Sequence, residues 1–217
     1  MNDFENNQSQ QGFNIDMDYA ESLPDEPVVT PKNTLGQEIL EWVSILSTAI
    51  IIVIVFFSFF FKVSTIVGDS MLNTLVENDK IIVNNFNYTP KQGDIVIISR
   101  NIENSPEATG SNAEPIIKRV IATGGQTVDI DFETGIVYVD GQALEEDYLG
   151  SPTHRKYDVQ FPLYIPEGHI FVLGDNRMVS LDSRSSSIGD GGIIDNRYVL
   201  GRAVYRFYPF DKMGVIE

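Results

Sequence analysis

A run of 20 uncharged residues, "WVSILSTAIIIVIVFFSFFF" from Trp42 to Phe61, constrains this chain more than any other stretch of it. An α-helix rises about 1.5 Å per residue, so such a run crosses the roughly 30 Å of a bilayer's hydrocarbon core. It shows no polar face, which a helix packed on a soluble core normally presents. A cleaved leader fits poorly, because the run starts far along the chain, lacks a basic segment before it and exceeds a leader's apolar length. We expect a transmembrane helix over residues 38–62, with Trp42 at one interface and Lys62 reaching water at the other. Lys32 before the run and Lys62 after it nearly balance, so charge bias leaves the orientation open.

The flanks differ in character. Residues 1–37 are rich in Asn, Gln, Asp and Glu and poor in aliphatic side chains, the composition of an acidic disordered tail. Residues 63–217 are long enough to bury a core of their own. The formal net charge of −16 divides evenly, with −8 over residues 1–41 and −8 over 62–217, so neither part is suited to neutralising nucleic-acid phosphates. Cysteine is absent, which excludes disulfides, thiolate metal sites and a Cys nucleophile. Chemistry then falls to Ser, Lys, Asp, Glu or the two His, with no cofactor or metal expected.

Short β-branched and aromatic runs fill the C-terminal part: "KIIVNNF", "DIVIISR", "IIKRVIA", "TVDIDF", "GIVYVDG", "HIFVLGD" and "RAVYRFYPF". Turn residues in "DFETG" and "VDGQAL" predict hairpins, and "NIENSPEATGSNAEP" reads as a polar loop. The expected fold is mostly β and antiparallel, behind a single transmembrane helix.

Three segments of this part carry candidate chemistry. In "PIIKRVIA", strand alternation puts Ile116, Lys118 and Val120 on one face and Ile117, Arg119 and Ile121 on the other. Burial lowers a lysine pKa from about 10.4, and a fall of two to three units makes a base near neutrality at a cost of about 3 to 4 kcal/mol. The competing reading is an edge-strand lysine with its head in water. Ser70, in "GDSMLNTL", follows Gly68, which allows close approach or an unusual φ, but becomes a nucleophile only beside a base and oxyanion donors. In "VLGDNRMVSLDSR", Asp182 and Arg184 are two apart and suited to an ion pair; an ordinary surface loop is the alternative.

Order and spacing of these segments behind an N-terminal apolar helix resemble the bacterial type I signal peptidases, over about residues 66–214. That family's Gly-x-Ser-Met-x-Pro-Thr-Leu segment corresponds to "GDSMLNTL", its Lys-Arg-Val to "KRV", and its third signature to "GDNRMVSLDSR". The resemblance implies Ser70 as nucleophile with its N–H as oxyanion donor, and Lys118 as general base. It implies Ser180 as the hydroxyl that orients the amine, and Asp182 with Arg184 as a supporting ion pair. Ile66, Met71, Leu75 and Ile117 match shallow apolar pockets for small substrate side chains. Secretory preproteins and membrane lipid are the implied partners. The implied location is the cell membrane, with a single pass, a cytoplasmic N-terminus and a catalytic domain outside.

Two positions depart from the family pattern. Asn73 stands for the usual Pro, and Thr123, Gly124, Gly125 and Gln126 stand for Leu-Pro-Gly-Asp. Each lost ring is expected to cost about 0.4 to 1 kcal/mol through greater freedom of the unfolded chain. Rival readings are the self-cleaving Ser-Lys repressors, which lack a membrane helix and bind DNA; a Ser-His-Asp hydrolase using His154 or His169; and an inactive membrane-anchored binding domain.

Overall fold

The computed structural model describes residues 34–100 and 114–216; the expected acidic tail up to residue 33, and most of the expected polar loop, lie outside them. A helix, α1, runs over Leu35–Phe60. Thr34 stands at its N-terminus: its carbonyl accepts from Gln37 and Glu38 N–H, and the Gln37 side chain accepts from Thr34 N–H at 3.0 Å, one half of a capping box. None of the α1 residues is buried, and the helix is long and apolar enough to cross a membrane. Ser47 and Ser58 donate their hydroxyls to the Ser44 and Ile54 carbonyls, so neither needs water.

The helix ends earlier than expected. Phe61 and Lys62 belong to a strand, β1 (Phe61–Thr65), and pair with Asn84 and Val83. Ladder hydrogen bonds to a neighbouring strand replace the last helical turn, so Lys62 is a strand residue rather than the cap of the span.

The remaining strands are β2 (Lys80–Asn84), β3 (Ile95–Ile98), β4 (Ile116–Thr123), β5 (Thr127–Asp131), β6 (Ile136–Val139), β7 (Gln142–Ala143), β8 (Leu163–Tyr164), β9 (His169–Leu173), β10 (Ile194–Asp195), β11 (Val199–Tyr208) and β12 (Gly214–Val215). They form an antiparallel sheet in the order β1-β2-β11-β3-β4-β9-β10, with β12 on β11, and a smaller sheet in the order β7-β6-β5-β8. All seven apolar runs marked in the sequence contain strands. β1 was hidden because its first residue continues the greasy run, and the two-residue strands are too short to show a period.

The large sheet is covered on both faces around its centre. Ile95 and Ile97 of β3 pack with Ile66, Met71, Leu75 and Ile81, while Val96 and Ile98 point the other way, towards Val120, Ile170 and Val172. Phe171 and Leu173 of β9 pack against Val128, Ile130 and Val137 of the small sheet, joining the two. Each such fully buried side chain contributes about 1.5–3 kcal/mol from desolvation. The expected hairpins form as well. Asp131 accepts from the Glu133 and Thr134 N–H groups between β5 and β6, and Asp140 and Gly141, both at positive φ, turn β6 into β7.

Candidate active site

Strand β4 decides the fate of Lys118. It lies inside the sheet, between β3 and β9, so the edge-strand reading fails and the lysine is 3% exposed. Its amine is hydrogen-bonded to Ser70 Oγ at 2.8 Å and donates to the Ile117 carbonyl at 3.0 Å. Among the described residues no carboxylate is within ion-pair distance of it. Burial pushes its pKa down from 10.5 to about 8; Asp182 opposes that fall and Arg100 adds to it.

Ser70 sits on a tight turn that Gly68 enters at φ +80° and that closes with Leu75 N–H donating to the Met71 carbonyl. Met71 and Leu75 anchor this turn in the core beneath β3. Among the described residues, no hydrogen bond engages the Ser70 N–H.

The segment 174–184 wraps the turn from the other side. Asn176 N–H donates to the Ser70 carbonyl at 3.0 Å, and its side-chain amide donates to the Asp69 carbonyl at 3.1 Å. Closeness here requires Gly174, since a Cβ at that position would stand 2.5 Å from the Ser70 carbonyl oxygen and 2.2 Å from Ser180 Oγ. Asp182 and Arg184 form the expected ion pair, fully buried, with Nε at 2.8 Å from Oδ1 and a second guanidinium nitrogen at 2.9 Å from Oδ2. Asp182 also accepts from Gly174 N–H at 3.0 Å, which ties the pair to the loop beside Ser70.

Ser180 differs from expectation. Its hydroxyl is fully buried next to Gly174 but hydrogen-bonds to no described group, including Lys118. A buried hydroxyl without a partner costs free energy.

A second buried pair escaped the sequence reading. Arg119 binds Asp175 through two bonds of 2.9 and 2.8 Å and the Gly93 carbonyl at 2.9 Å, while Thr74 donates its hydroxyl to Asp175. The Tyr148 ring lies 3.9 Å from the Arg119 guanidinium, and Arg177 pairs with Glu146. Asp175 and Arg177 lie in the same segment as Asp182 and Arg184, but their partners lie 56 and 31 residues away, a distance that local pattern does not bridge.

A cleft of about 380 Å³ opens beside Ser70. Ser64–Gly68 forms one wall and Glu114–Lys118 another, with Ile66, Met71 and Ile117 among the lining side chains. Leu75, expected there as well, is wholly in the core and lines no part of the cleft, because the helical turn 71–75 points it inward. Both imidazoles are engaged elsewhere, His154 with the Phe132 carbonyl and His169 with that of Glu167, and neither is hydrogen-bonded to Ser70.

The two departures from pattern carry a different cost from the one expected. Asn73 has φ +81°, where a prolyl ring cannot go and asparagine is tolerated. A Cβ on Gly124 would stand 2.7 Å from Glu167 Cα. The expected stability loss at these sites therefore does not apply, since neither place accommodates proline in this backbone. Asn73→Pro is expected to lower the unfolding free energy by about 3 kcal/mol or more, whereas Asn73→Gly stays within about 1 kcal/mol; thermal denaturation of both variants checks this.

Residues 39–208 match the family described as signal peptidase, peptidase S26. The chain is 32% identical to a probable signal peptidase I-1 of Synechocystis over 88% of this chain and 92% of that one. It is 30% identical to the signal peptidase I of Bacillus licheniformis, over 88% and 98% respectively. A crystal structure of a signal peptidase I from Enterococcus faecalis V583 aligns with 53% of this chain and 97% of its own, at 29% identity and a TM-score of 0.39.

Proposed function

The chain belongs to the signal peptidase family, peptidase S26, and is a serine endopeptidase of the signal peptidase I type acting on preproteins that bear signal peptides; we propose that Ser70 is its nucleophile and Lys118 its general base. The observation that carries this is the 2.8 Å contact between a buried lysine amine and the Ser70 hydroxyl. An amine with a pKa of about 8 is neutral in a useful fraction near pH 7, and in that form its lone pair accepts the hydroxyl proton.

As Ser70 Oγ attacks the scissile carbonyl, its proton passes to Lys118. The oxyanion that develops faces the Ser70 N–H. Collapse breaks the C–N bond, and the leaving amine takes the proton from the lysine ammonium, which leaves an ester on Ser70. Water then gives a proton to the same amine as it attacks the ester, and the proton returns to Ser70 on release. During the two ammonium phases Lys118 holds one more proton, for which we assign the Ser180 hydroxyl, buried and unpaired beside Gly174, as acceptor. Asp182 and Arg184 keep Gly174, and through it the Ser70 turn, in register.

Cleft walls at Ser64–Gly68 and Glu114–Lys118 suit an extended peptide, with Ile66, Met71 and Ile117 limiting side-chain size. For the membrane, we place α1 across it, with residues 63–217 as the catalytic domain on the outer face of the cell membrane and residues 1–37 in the cytoplasm. Its apolar, unburied length and the family's anchoring support that placement. In detergent or lipid, the purified full chain is expected to cut a preprotein with an Ala-x-Ala site, and Ser70→Ala to abolish the cut. Undiminished cleavage by Ser70→Ala would remove the assignment, and a folded but inert wild type would favour a binding domain.

A further inference from the structure

We propose that an apolar recess between the end of α1 and Phe86 seats the hydrophobic helix of the substrate's signal peptide, an inference that rests on the peptidase reading above. Ile51, Val55, Phe56, Phe59, Phe60 and Phe86 line this recess of about 560 Å³. The helical members recur at a four-residue spacing and so form one stripe. Phe86 is the exception to that stripe and the informative member. It is 61% exposed at the end of β2, where its ring meets Phe60 edge to face at 4.6 Å. The turn that presents it is built: Phe86 N–H donates to Asn84 Oδ1, and Asn85 N–H reaches the Phe60 carbonyl. A phenyl ring held outside the core in this way extends the side of α1 into a concave surface.

Continuity with the catalytic cleft identifies the occupant. Helix α1 passes into β1 without a loop, β1 is the edge strand of its sheet, and Ser64–Gly68 at its far end walls the cleft. A substrate chain extended along this edge runs back from the cleft over five residues, about 17 Å, and arrives at the recess. Upstream of its small-residue cut site a signal peptide has an apolar stretch of about 7 to 15 residues. In hydrocarbon that stretch must be helical. The helix-to-strand boundary at Phe60 and Phe61 thus acts as a ruler, matching the point where the bound peptide changes from helix to extended chain.

The test uses the full chain in phosphatidylcholine/phosphatidylglycerol vesicles, with two substrates sharing one cut site: a complete preprotein, and a short peptide lacking the apolar stretch. Phe86→Ser and Phe59→Ala are each expected to reduce kcat/KM for the preprotein at least about tenfold more than for the peptide, mostly through KM. In a Ser70→Ala background, a photoreactive benzoylphenylalanine at position 86 is expected to crosslink to the preprotein's apolar stretch. Equal losses on both substrates, or crosslinks confined to lipid, overturn the proposal and give the recess to acyl chains. Wild type that cuts neither substrate overturns the peptidase reading, and this proposal with it.

Discussion

Lys118→Met is expected to abolish preprotein cleavage, by about 10³-fold or more, and at pH 7 to make the protein more stable by about 2 to 3 kcal/mol. The gain arises because the folded state holds this amine at a pKa of about 8 against 10.5 unfolded, a shift equivalent to about 3 kcal/mol, offset by the lost bond to Ser70. The sign follows from proton binding. Between about pH 8 and 10.5 the unfolded chain binds more protons at Lys118 than the folded one does, so wild-type stability rises with pH through that window. Below pH 8 both states are protonated and the penalty is full. The advantage of the methionine variant is therefore constant below about pH 8 and shrinks towards pH 10.5. Chemical denaturation at pH 7 and pH 10 measures it. For the wild type, kcat/KM should climb with pH through a midpoint near 8 if the neutral amine is the base, as proposed. A methionine variant less stable than wild type at pH 7 would argue against a strained, buried lysine.

Asp182→Ala is the second large effect. It leaves Arg184 charged and fully buried with its carboxylate partner gone, and also frees Gly174 N–H; removing one member of such a pair costs about 3 to 5 kcal/mol. Stability alone would not connect the pair to catalysis. The pH profile does: Asp182 raises the Lys118 pKa, so its loss should shift the midpoint of kcat/KM to lower pH while lowering kcat. Asp182→Leu combined with Arg184→Met should recover much of the stability, since two apolar side chains leave no uncompensated charge, but not the rate. A midpoint that stays put in Asp182→Ala would restrict Asp182 to holding the fold.

The contrast between Ser180 and Asp182 shows where legibility stopped. Both lie in one short motif, and the ion pair at Asp182 and Arg184 could be read because its members are two residues apart on an extended chain. The hydroxyl of Ser180 depends on a rotamer and on where β4 passes, and here it makes no bond to Lys118. Leu75 illustrates the same limit. It shares a motif with Ser70, yet the direction of a single helical turn sends it into the core rather than the cleft. At Asn73, comparison with a sequence pattern suggested a missing constraint, whereas the backbone at φ +81° excludes the residue thought to be missing.

Local properties account for what the sequence by itself determined: a membrane-spanning length of apolar residues, seven β runs with their turns, the absence of thiol chemistry, and the Ser70 and Lys118 segments. Hydropathy, alternation and turn preference act over a few residues and can be read along the chain. Tertiary structure alone decided that β4 lies inside the sheet, which buries Lys118 and lowers its pKa, and that Arg119 meets Asp175 across 56 residues. It also decided that α1 yields to β1 at Phe61, carrying the membrane helix directly into the wall of the cleft. Those outcomes depend on which strands become neighbours, and desolvation and ion pairing act only after that pairing has brought distant residues together.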